Sequence, residues 1–136
     1  MASPIEAQFI LCDAAQADPT GKVHMLGAGW SVTSSPTPPH ALALLLRIPW
    51  DRANQKIQVR AVLEDADGHP VTLGEPPHEL RHNAEVEVGR PPGVAPGTML
   101  PATLAISVPP LPLRPGRYQW RAEVAEQTLH ASFQVT

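Results

Sequence analysis

Apolar and polar residues alternate with a period of two along much of the chain, the spacing of strands buried on one face. The cleanest run is 117–124, with Tyr118, Trp120, Ala122 and Val124 on one side and Arg117, Gln119, Arg121 and Glu123 on the other. Segment 128–135 repeats it with Leu129, Ala131, Phe133 and Val135, and only Glu126 and Gln127 make a short polar link between the two. These runs are predicted to form a hairpin. Segment 56–64 sets Ile57, Val59, Ala61 and Leu63 against Gln58, Arg60 and Glu64, with Val62 out of pattern. Further strands are predicted at 7–13, 23–28, 42–48, 85–88 and 102–108, and a brief one at 71–73 after the Asp67-Gly68 turn. Segment 42–48 is almost wholly apolar. That predicts a central strand covered on both faces, or one whose second face meets a partner.

Proline sharpens this picture. The chain has 136 residues and 17 prolines, paired at 38–39, 76–77, 91–92 and 109–110. Proline cannot sit inside helices or central strands, so it cuts the chain into short pieces. Together the signals predict an all-β, antiparallel β-sandwich of about eight strands filling a single domain over residues 1–136. Segments 31–40 and 89–101 read as long surface loops, and no helix or internal repeat stands out.

Charge and cysteine narrow the partners. The formal net charge is −3, and Lys22 and Lys56 are the only lysines. No basic stripe exists to follow a phosphate backbone or an anionic membrane, so neither nucleic acid nor membrane is an expected partner. The longest apolar run, 41–46, falls far short of the ~20 residues of a membrane-spanning helix. The first residues lack the basic and apolar regions of a secretory signal. Cys12 stands alone in an apolar stretch, which suits a buried thiol in a reducing compartment. A cytoplasmic location is expected.

The candidate chemistry is thin. His78 and His82 are four apart after Pro76-Pro77, so a short helical turn there would put both on one face as zinc ligands. Glu79 follows the first histidine, but a third ligand is missing, and His24, His40, His69 and His130 fall in other segments. Asp65-Ala66-Asp67-Gly68 starts like a calcium loop, yet His69-Pro70-Val71 supplies none of the later ligands, and a hairpin turn suits it better. Gly27-Ala28-Gly29 lacks the third glycine and the helix of a dinucleotide site. Glu64-Asp65 flanks a turn, and Glu85 and Glu87 share an outward strand face. No metal, no cofactor and no catalytic group is assigned.

Trp50-Asp51-Arg52-Ala53-Asn54 is the most informative segment, because a Trp with a nearby Arg is typical of interface hot spots. Asp51 and Asn54 equally suit turn backbone, with Trp50 capping the sandwich end. Arg90-Pro91-Pro92-Gly93 is a stiff loop fit for recognition or for plain connection. Trp50, Arg52, Arg90, Pro91 and Pro92 are therefore the candidate interaction surface.

Two resemblances add to this reading. Leu113-Arg114-Pro115-Gly116-Arg117-Tyr118 resembles the entry to a late strand of immunoglobulin-like and fibronectin-like sandwiches. There a tyrosine bonds back to nearby backbone, which would be the role of Tyr118, with Trp120 in the core on the same face. Phe9-Ile10-Leu11-Cys12-Asp13-Ala14-Ala15-Gln16, Gly21-Lys22-Val23, Leu26-Gly27-Ala28-Gly29-Trp30, Pro49-Trp50-Asp51-Arg52-Ala53-Asn54 and Gly89-Arg90-Pro91-Pro92-Gly93 resemble a family of small bacterial proteins. That family is a domain of unknown function, and the resemblance implies a β-sandwich without an activity or ligand. The expectation is a non-catalytic interaction module, a homo-oligomer or a subunit bound to another protein. The alternative is a module binding a small molecule or glycan.

Overall fold

The computed structural model describes residues 4–136. Two sheets form the body. In the first, the long strand β5 (His40–Ile48) lies between β1 (Glu6–Cys12) and β10 (Leu100–Val108), antiparallel to both. In the second, β11 (Gly116–Val124) is the middle strand, flanked by β12 (Gln127–Val135) and β6 (Ile57–Asp65). Beyond β12 lies β4 (Val32–Thr33), and beyond β6 lies β9 (Arg81–Val86). Two small ribbons complete the chain, β2 (Ala14–Ala17) with β3 (Val23–Leu26) and β7 (Thr72–Leu73) with β8 (His78–Glu79).

The alternation read from the sequence sets the core. Leu42, Leu44, Leu46 and Ile48 of β5 turn inward with Phe9 and Leu11 of β1 and Leu100, Ala102 and Leu104 of β10. Facing them are Ala61 and Leu63 of β6, Trp120 and Val124 of β11, and Phe133 and Val135 of β12. Trp120 is fully buried. Each large side chain so enclosed contributes about 1.5–3 kcal/mol relative to exposure. The hairpin expected between 117–124 and 128–135 forms, turning through Ala125 at φ +51° and Glu126.

Five features depart from the sequence reading. The sandwich is not wholly antiparallel, because β4 runs parallel to β12 for two residues. β2, β4 and β8 were not expected; their short stretches carry too few apolar positions to show a period. β9 starts at Arg81 instead of 85, since its first inward residues, His82 and the small Ala84, give too weak an apolar alternation to mark a strand. β10 begins two residues early and contains Pro101, which a strand at the edge of a sheet tolerates. The segment from His78 to His82 is extended, with no helical turn. Four residues of extended chain set the two α-carbons roughly 13 Å apart, without the adjacency on one face that a helical turn would give the histidines.

The second face of β5 is covered by this chain. Ala41 and Ala43 pack with Cys12 beneath Ala15, Val23 and Met25 of the β2–β3 ribbon. The ribbon is held by Asp13 N–H donating to Leu26 O at 2.8 Å and Thr103 Oγ1 donating to Lys22 O at 3.1 Å. Gly27 leaves the ribbon at φ +62°, where a β-carbon would lie 2.0 Å from the Asp13 carboxylate. Of the two coverings open to 42–48, the structure therefore uses an internal one for the alanine end.

Candidate functional site

The sandwich has two lateral sides, and they differ. On one, Gly29 N–H donates to Leu11 O at 2.7 Å, and Gln134 N–H donates to Ser31 O at 2.8 Å. Gln127 reaches Ile5 O, and β4 lies against β12. Segment 29–33 and its neighbours thus tie the edges of both sheets. On the other side β9 ends one sheet and β10 ends the other, and among the described residues each lacks a strand on its outer edge.

Between these two edges runs an open crevice of about 500 Å³, lined by residues 18–21, 85–89, 100–103 and Pro91. Asp18, Glu85 and Glu87 are among the lining residues, and no lysine or arginine is. Asp18 is a built part of the ribbon tip. Its Oδ1 accepts from Thr20 N–H and Thr20 Oγ1, and its Oδ2 meets His24 Nε2 at 2.9 Å. The Thr20 hydroxyl, then His24, hold its carboxyl well below the usual carboxylate range. Glu85 pairs across the strand with Gln58 Nε2.

The backbone of β9 can be assigned group by group. Hydrogen-bonded pairs alternate along an antiparallel ladder. Leu63 N–H donates to Leu80 O at 3.1 Å, in register with the β6–β9 pairing, and Asn54 N–H donates to Val88 O at 2.7 Å. Leu80, His82, Ala84, Val86 and Val88 therefore turn their backbone groups toward their own sheet. Arg81, Asn83, Glu85 and Glu87 turn theirs to the open side, with their side chains exposed.

The five candidate residues meet at the adjoining end of the sandwich. Pro49 starts a single 3-10 turn, Trp50–Arg52. The Arg90 guanidinium lies 4.7 Å from the Trp50 ring centre and donates through Nε and Nη2 to Trp50 O at 3.2 and 2.8 Å. Arg52 Nη1 lies 3.0 Å from Glu126 Oε1. Pro91 and Pro92 are exposed, and Pro91 reaches the crevice. The arginine heads are thus engaged within the chain. A cation–π contact of this exposed kind contributes about 0.5–1 kcal/mol, so the group braces the loop beside the crevice. Tyr118 Oη donates to Arg114 O at 2.7 Å, and its ring stacks on Phe133.

The remaining candidates fall apart in space. The outer face of the second sheet satisfies its own charges, with Glu64 4% exposed, accepting from Gln119 at 2.9 Å and facing Arg121 at 3.4 Å. Asp65, Asp67 and His69 bring ligand atoms within 4.8 Å of one another, but Asp65 Oδ1 accepts from the N–H groups of Asp67 and His69, as a turn requires. His40 is buried, with Nδ1 on Pro38 O at 3.1 Å and its ring edge-on to Trp30. His82 leans on Trp120. Burial lowers the pKa of both histidines and, with the Asp13 carboxylate second, raises that of Cys12.

Of Arg81, Asn83, Glu85 and Glu87, only Glu85 and Glu87 stand out in the sequence as an outward strand face, and 78–82 stays open there to a helical turn. That all four line a free edge depends on strand order, which period alone does not carry. Asp18 had no signal beyond turn chemistry.

No curated protein matches the chain. A family model does, over residues 7–136. The chain belongs to the family of unknown function DUF6941.

Proposed function

We propose that the chain is a non-catalytic, immunoglobulin-like module that makes protein–protein contacts, self-assembly included, through its open lateral side. The observation that carries this is the asymmetry between the sides: one is laced shut by backbone hydrogen bonds, and the other leaves β9 and β10 unpaired around an acidic crevice. Unpaired edges are the part of a sheet best suited to take another chain. The stiff Arg90–Pro92 loop and the braced Trp50 stand at the same end of this side.

The immunoglobulin-like reading rests on strand order. β1-β5-β10 corresponds to strands A, B and E, and β12-β11-β6 to G, F and C, with β9 as an added strand beyond C. Tyr118 then takes the tyrosine-corner position at the start of F. Strand D, which borders E in constant-type domains, has no counterpart among the described residues, and the crevice lies along that edge. The buried thiol supports a cytoplasmic setting, and the net charge of −3 argues against nucleic-acid and membrane surfaces. Trp30 and Trp50 do not line the crevice, which weighs against the small-molecule or glycan reading.

The test places a photo-crosslinking amino acid at position 83 on the β9 edge, and in a control at position 130 on the outer sheet face, in cells of the native host. The reading expects a polypeptide captured from 83 and not from 130. Equal capture from both positions, or none from either, would sink it.

A further inference from the structure

We infer that the open edge of β9 binds the β9 edge of a second copy of this chain, antiparallel and centred on Ala84, joining two five-stranded sheets into one. This deepens the proposed function and rests on it, naming the partner and the register.

The edge is self-complementary. Its free backbone groups belong to Arg81, Asn83, Glu85 and Glu87, and no proline interrupts residues 78–90. An antiparallel edge must match free groups with free groups, so odd residues face odd residues. A two-fold axis at Ala84 meets that condition. It sets Arg81 opposite the second copy's Glu87 and Asn83 opposite its Glu85, each pairing occurring twice. Opposite charges directly across a strand pair stabilise it, and like charges oppose it. Shifting the axis to Asn83 would keep the backbone matched but place Glu79 against Glu87. The axis at Ala84 avoids that clash, because Glu79 then faces Gly89. The inward row fits too, with Ala84 meeting Ala84 and His82 meeting Val86. Arg81 is 49% exposed in its ion pair with Glu79, a surface contact that costs little to exchange.

Sedimentation velocity over rising protein concentration at low salt tests this on the full chain. The wild type forms a dimer that weakens as salt rises. Arg81→Glu alone, or Glu87→Arg alone, puts like charges across the axis and weakens self-association by about tenfold or more. An equimolar mixture of the two variants restores every opposite pair and dimerises like the wild type, while circular dichroism shows both variants folded. A wild type that stays monomeric at millimolar concentration overturns the inference, as does a mixture no tighter than its separate components. Crosslinking from position 83 then separates the two failures. Capture of other proteins alone overturns the self-pairing and leaves the interaction reading standing; no capture removes both.

Discussion

At the scale of the residue, the most consequential side chains are polar groups placed inside. His40 is 3% exposed, and Nδ1 donates its proton to Pro38 O, so Nε2 is an acceptor. Nε2 has no partner, and the nearby Trp30 Nε1, also buried, is a donor without one. A protonated His40 would put a second N–H into a site that offers no acceptor. The folded-state pKa is therefore depressed below the ordinary 6.5. As pH falls through that value the unfolded chain takes up a proton that the folded chain refuses, so stability falls. His82 adds to the same trend. We expect the urea midpoint to drop between about pH 7 and about pH 5, and His40→Asn, which keeps a donor for Pro38 O, to flatten that drop. An unchanged slope in the variant would remove His40 as the cause. Tyr118→Phe removes the bond to Arg114 O while keeping the stack on Phe133, and should cost about 1 kcal/mol in urea unfolding. A loss near zero would mean the corner is held by packing alone.

At the scale of the element, the sequence was most legible where one face is wet. β11 and β12 alternate cleanly and β6 does so but for Val62, and each lies where the period placed it. Segment 42–48 was ambiguous for a physical reason: a strand covered on both faces has no period to show which layer covers it. The answer lay in β2–β3, whose Ala-Ala-Gln-Ala start carries no strand signal of its own. The same logic hid the candidate site. A row of solvated side chains looks alike in mid-sheet and at an edge, and only strand order separates the two. Ala43 tests the internal cover. It is fully buried beneath the ribbon. Ala43→Asp would enclose an unpaired charge and should destabilise the isolated chain by about 3 kcal/mol or more, read by urea unfolding. Were that face awaiting a partner, the same change would leave the isolated chain nearly as stable as before.

At the scale of the molecule, the two lateral sides differ in how their backbone is bonded, and hydrogen exchange reads that difference directly. Amides of β6 and β11 sit between ladders on both sides, over the buried Trp120, Phe133 and Val135, whereas β12 has its second ladder only at residues 134–135. Those of β6 and β11 should exchange only through global opening, the slowest class. β9 has a ladder on one side only. In solutions dilute enough to keep copies apart, the amides of His82, Ala84 and Val86 should be protected, and those of Arg81, Asn83 and Glu85 should exchange early, in strict alternation. That pattern follows from Leu63 N–H bonding to Leu80 O and from the β6–β9 register, with no reference to any partner. Uniform protection from 81 to 86 would show that something within the chain covers the edge. Uniform loss would show that β9 frays as a unit. Either result would remove the ordered free edge on which strand addition depends, because only a held strand can offer its odd amides as a template.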